Sequence, residues 1–378
     1  MIAEHRIVYR EPGIFAGWPA NHGLWQQDGR IIVGFETGLM SLDGGFHSIV
    51  RSSAVTPIMA ETLDGGETWR CWEPCGELEL RNDRRFLSAY EQQRCESSLL
   101  VQTTAVDFRS CLTKFRMLST SRGSSYVNYS HDCGATWDGP FRLEGNAVDT
   151  MMGRVGIAAR TSYLTDQDDG RYCLAFMSAS KKSDDREGQP FCIETRDGGI
   201  TWDFLSWIDN PPFGGFGIMP SALRCDDGSI LCAVRWREVQ DYQMYGCDDA
   251  PLLSGIICYK SDDNAHSWRK VSVPVRGLAS AGNPPDMVRL PDGRVALVYG
   301  RRASSLHLSL VSNAIMVQMS EDDGLTWSDP KTIRDGAGCH DMGYTRSAVW
   351  SDGKVITVYY WNDEPDGERY VAATIWEP

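Results

Sequence analysis

The stretch Cys339–Arg346, C-H-D-M-G-Y-T-R, brings an imidazole, a carboxylate, a phenol and a guanidinium into one short run. These are the side-chain types that move protons, attack as nucleophiles and hold anions. The run reads as the wall of a site in which Tyr344 attacks or transfers a proton, Asp341 serves as acid or base, and Arg346 contacts an anionic substrate. His22, in P-A-N-H, and His47 add imidazoles, whose ordinary pKa of about 6.5 suits a base near neutrality. Asn21, next to His22, and Asn283, in G-N-P-P-D-M, are amides suited to sugar hydroxyls. Arg160 in A-A-R-T-S, Arg235 and Arg301 add guanidinium groups able to bind an anion, with Arg154 and Arg302 as the neighbouring alternatives. Trp18, Trp25 and Trp361 offer faces for a sugar ring.

The elements that must position these groups are written as a repeat. Thr62–Trp69, Ser130–Trp137, Thr195–Trp202, Ser261–Trp268 and Ser320–Trp327 share the pattern S/T-x-D-x-G-x-S/T-W, the fourth copy carrying Asn264 and Ala265 in the turn. The copies recur at roughly 60 to 70 residues, the length of one four-stranded antiparallel unit. Each reads as a tight turn in which the aspartate caps backbone N–H groups one and two residues ahead, glycine supplies positive φ, and tryptophan fills the space between sheets. Without its glycine, the fourth turn is expected to be looser or differently shaped. A second signal runs in phase with the first: Asp28-Gly29, Asp227-Gly228, Asp292-Gly293 and Asp352-Gly353 each precede an apolar run such as S-I-L-C-A-V-R or K-V-I-T-V-Y-Y. The fold class is therefore all-β, a six-bladed propeller filling residues 1–378 as one domain, with Arg6–Tyr9 pairing with Tyr370–Trp376 to close the ring.

In such a ring the strand before each Asp-Gly hairpin lies nearest the axis, and its start faces the central mouth. The windows that matter are thus Trp18–His22, Gly153–Arg160, Ile218–Ser221, Gly282–Pro285 and His340–Thr345. Asn21, His22, Arg160, Asn283, Asp341 and Tyr344 fall in them, and Arg346 directly follows the last. Ser180–Gln189 and Gln240–Ala250 are polar hairpin tips that could overhang that mouth.

A net charge of −14 argues against a nucleic-acid partner, while a local field can still favour an anionic small molecule. Residues 1–6 hold no apolar core of signal-peptide length and no later run matches a membrane span, so a soluble, cytoplasmic protein with reduced cysteines is expected. Cys71 and Cys75 stand too isolated for a zinc site, and no nucleotide or phosphate-cradling motif is found, so no cofactor is expected.

The five boxes resemble those of the sialidase-like propeller superfamily, over nearly the whole chain. That resemblance puts the box aspartates Asp64, Asp132, Asp197, Asp263 and Asp322 on the outer rim as scaffold, and Tyr344 in the place of the family's nucleophile. The run M-P-S-A-L-R-C-D-D-G-S-I-L-C-A-V-R puts Arg235 in the place of the family's middle arginine, and Met219 where a glutamate should activate the tyrosine. The window before Asp28-Gly29 lacks the family's arginine as well. The resemblance implies a glycoside hydrolase acting at or next to an acidic sugar, and the two departures leave two other readings open. One is a polysaccharide lyase working beside a uronate, with Tyr344 or a histidine as base. The other is a propeller that binds sugar without turnover.

Overall fold

The computed structural model describes residues 3–43, 47–50, 54–77, 89–119, 123–145, 156–180, 187–209, 216–237, 254–277, 283–302 and 312–378. They form six antiparallel sheets, the blades of an all-β six-bladed propeller. Blade four shows the pattern plainly: inner strand Phe216–Arg224, the turn at Asp227-Gly228, then Ile230–Arg237, Ser254–Ser261 and outer strand Arg269–Arg276. Ile230–Arg237 and Ser254–Ser261 are almost entirely buried, as expected of central strands covered on both faces by neighbouring blades. Blade six takes its outer strand from the other end of the chain, Ala3–Tyr9 pairing with Tyr370–Trp376. In blade two the described residues form three strands, Leu112–Met117, Ser125–Ser130 and Asp138–Arg142. No helix among the described residues is long and apolar enough to cross a membrane.

Each repeat turn joins the last two strands of its blade, and its bonding corrects the expected cap. The aspartate accepts from the backbone N–H four residues ahead, Thr68, Thr136, Thr201, Ser267 and Thr326 in turn, and from the hydroxyl of the same residue. The Ser or Thr two residues before it takes the N–H at the glycine position. The fourth turn keeps this whole network. Ala265 adopts φ 70° in glycine's place, so its shape is not looser but carries the strain that glycine avoids.

The inner strands depart from regularity where they matter for a site. In blade one the strand is split into Ile14–Gly17 and Leu24–Gln27, both paired with Arg30–Leu39, and Trp18–Gly23 bulges out between them as one short helical turn. In blades four and six the register slips between Ile218 and Ser221 and between Gly343 and Arg346. Trp18, Met219 and Tyr344 sit at these three breaks with φ 60°, 55° and 57°, a left-handed backbone uncommon for residues with bulky side chains.

Candidate active site

Tyr344 is held in its kink by blade five. Its N–H donates to Asn283 Oδ1 at 2.9 Å, and Asn283 Nδ2 donates to the Met342 carbonyl at 3.3 Å. Asn283 is fully buried and its amide is committed to the backbone, so it clamps Tyr344 and is not placed to meet a sugar hydroxyl. The Tyr344 ring meets the edges of Tyr360 and His47, with centroids 5.8 and 6.2 Å away. The Arg302 guanidinium lies 5.7 Å from its centroid and donates to the Met342 carbonyl at 2.9 Å and to Tyr360 OH at 3.2 Å.

Asp341 lies beside this group and is almost wholly buried. Its Oδ1 is 2.7 Å from His47 Nδ1 and accepts from Tyr360 OH at 2.7 Å, while Oδ2 accepts from the Ser48 N–H at 2.8 Å and from Arg369 Nε at 3.4 Å. Burial alone would raise the carboxyl's pKa, but the charge and hydrogen bond of His47, with those of Tyr360 and Ser48, hold it well below the usual carboxylate range. An acid so firmly ionised has no proton to give, which corrects the expectation of Asp341 as a general acid. Its geometry is that of a carboxylate fixing the orientation of a histidine. Burial, then the Asp341 charge, push the Tyr360 phenol far up, so it stays a donor. Asn362 staples the loop itself, taking the Cys339 N–H at 2.7 Å and donating to the Asp341 carbonyl at 2.9 Å.

Arg235 reaches the same mouth from blade four. It is fully enclosed, with a terminal nitrogen 3.6 Å from Met219 Sδ and its guanidinium over the Phe216 ring. Burial, helped by the nearby charges of Arg302 and Arg160, lowers its pKa to about 10 against the opposing pull of Tyr344 and Glu187, and it remains a cation at neutral pH. Arg160 forks onto Glu187, with NH2 to Oε2 at 3.1 Å and NH1 on Oε1. Arg235 and Arg302 thus approach Tyr344 from two blades, while Arg160, close enough to Arg235 for its charge to be felt there, is paired with Glu187.

Other candidates are placed elsewhere. Arg301 turns to Ser312, bonding its carbonyl at 3.0 Å and its hydroxyl at 3.1 Å, and it is the next residue, Arg302, that faces Tyr344. Arg346 is a crossbar: NH1 meets Asp286 Oδ1 at 2.9 Å, and NH2 donates to the carbonyls of Ala20 at 2.9 Å and Thr161 at 2.6 Å. It therefore ties blade six to blades five, one and three with its donors already engaged. His22 is completely buried, its Nε2 3.0 Å from Glu36 Oε1, and Glu36 also takes Arg116. Burial and the Arg116 charge push His22 well below 6.5 despite Glu36, leaving a neutral ring walled off from Tyr344. Asn21 is buried too, its carbonyl accepting from Arg116 and its Oδ1 without a partner among the described residues. Trp18 packs edge-on to His47 at 5.1 Å, whereas Trp361 lies in the core between blades five and six. Arg154 lies outside the described residues. Cys225, Asp227 and Asp323 lie within reach of a common ion, but Lys260 and Arg289 already engage the two carboxylates.

Tyr360, Glu36, Arg369 and Glu187 were missed in the sequence. A signal existed for the first two: Tyr360, Arg235 and Glu36 pair directly with Gly343, Ile218 and Gly17, each the residue before a left-handed break.

Residues 99–357 match the BNR repeat-like domain. The chain belongs to that family. No curated protein matches this BNR repeat-like protein in sequence. Among solved structures, a Dyadobacter fermentans protein of unknown function superposes with a TM-score of 0.69 at 16% identity, over 98% of this chain and 97% of that one. The Hadza microbial sialidase gives 0.59 at 12% identity, over 96% of this chain and 66% of that one. A Fusarium graminearum α-L-arabinofuranosidase in complex with arabinobiose gives 0.58 at 11%, over 98% and 94%. At such identities the likeness shows a shared fold, one that glycoside hydrolases of two specificities use.

Proposed function

We propose that this BNR repeat-like protein is a glycosidase of the sialidase-like type, acting on a bond at or next to an acidic sugar. The observation that carries the reading is the approach of two cations, Arg235 and Arg302, to Tyr344 from blades four and five. Like charges gathered in a buried setting raise each other's energy, and an anionic group on a bound sugar would offset that cost. Tyr344 is the group that acts at the bond, its direction fixed by the kink and by Asn283. With methionine at position 219, the base next to the phenol is His47, oriented by Asp341.

The same pair favours a second reading, elimination beside a uronate, in which an arginine neutralises the carboxylate and Tyr344 or His47 removes the adjacent proton. Incubation with a panel of acidic oligosaccharides, followed by mass spectrometry, separates the readings. Products whose summed mass exceeds the substrate by one water support hydrolysis. An unsaturated product at unchanged total mass supports elimination, and binding without turnover would refute both.

A further inference from the structure

Beyond the Arg346 crossbar the axial channel opens into a second cavity of about 380 Å3, within the size range of small-molecule sites. Its walls come from later positions of the same inner strands: Ser221 lies past Met219, and Ser347 past Tyr344. Arg346 lines both this cavity and the narrow one beside Met219 and Arg160, and its three-way bonding makes it the partition between them.

We propose that this second cavity binds a small neutral sugar or polyol, at a site separate from Tyr344. The charged groups that line it are already paired: Arg346 with Asp286 at 2.9 Å, and Arg109 with Asp107 through contacts of 2.9 and 2.6 Å. A ligand carrying net charge would disrupt or lack a counterion there, so the wall selects for neutrality. The remaining lining is mixed in the way sugars require. Trp25 and Tyr163 form one aromatic flank, locked together by an indole N–H to phenol bond of 3.1 Å. Gln27, Ser162 and Ser221 supply amide and hydroxyl groups around it. Aromatic faces take the C–H side of a sugar ring, and short polar side chains take its hydroxyls.

The test is calorimetric titration of the full chain with lactose, cellobiose and arabinobiose, each up to millimolar concentration. At least one should bind saturably, with affinity unchanged in Tyr344→Phe and Arg302→Met and weakened about tenfold or more in Ser162→Trp, which fills the cavity. Should Ser162→Trp fail to fold, Gln27→Ala should still weaken the same titration several-fold. Absence of binding by all three sugars would overturn the proposal. So would binding that survives Ser162→Trp or Gln27→Ala and disappears in Tyr344→Phe, since the sugar would then occupy the first mouth. The outcome is independent of whether Tyr344 proves to be catalytic.

Discussion

Met219 in blade four and Tyr344 in blade six occupy the same kinked position of their inner strands, at φ 55° and 57°, and pack into one cluster with Trp18, the third such residue. A left-handed backbone at a bulky side chain costs on the order of 1–3 kcal/mol and persists where the surroundings over-determine it. Here the surroundings are explicit: Asn283 holds the Tyr344 backbone, and Ser178 Oγ takes the Met219 N–H at 3.3 Å. The kinks aim both side chains at the mouth where Arg235 and Arg302 arrive.

Replacing Asp341 by asparagine should leave His47 and Arg369 with a neutral partner in a buried place, costing about 3 kcal/mol or more. The pH dependence follows from the depressed carboxyl. Its contribution is present above the unfolded carboxylate pKa of about 3.9 and is lost as pH falls from there toward the lower folded value. Denaturant melts between pH 7 and 3 should show wild type losing stability below about pH 4 more steeply than Asp341→Asn.

His22 acts on the same acid side of the pH range, in a window that begins at higher pH. Its folded pKa lies well below the unfolded value of about 6.5, so the unfolded chain takes up a proton first and stability falls as pH drops below that point. The slope from this one group is at most about 1.4 kcal/mol per pH unit. His22→Gln should reduce the decline in stability between about pH 6.5 and 5 by up to that amount; an unchanged slope would mean that His22 titrates normally in the fold.

Arg346→Leu should lower stability by about 3–5 kcal/mol, because it strands Asp286 and two carbonyls near the axis. Chemical denaturation measures it. A loss below about 1 kcal/mol, the scale of an exposed pair, would contradict the crossbar.

The blades were legible because the repeat turns and the Asp-Gly hairpins are fixed by local chemistry: a carboxylate, a hydroxyl and a positive φ at set offsets. Even the fourth turn obeyed, as Ser261 and Asp263 dictate the bonding and Ala265 yields. Tyr344 and Asp341 stood out because the blade repeat aligns strand starts, whereas Arg235 came from the family resemblance and His47 from the loop after the blade-one window. The choice between Arg301 and Arg302 was not legible, since a side chain's face depends on strand register, and one residue's slip reverses it. His22 misled for a related reason. The excursion Trp18–Gly23 has no counterpart among the described residues of the other blades, and it turns the imidazole into the wall against Glu36 instead of toward the mouth.

The most direct measurement is turnover of an acidic oligosaccharide by Tyr344→Phe, with melting recorded on the same sample. The phenol oxygen is removed while the ring still packs against Tyr360 and His47. If Tyr344 attacks or moves a proton, kcat should fall roughly a hundredfold or more, with melting within a few degrees of wild type. Turnover equal to wild type would contradict the account and remove Tyr344 from the reaction.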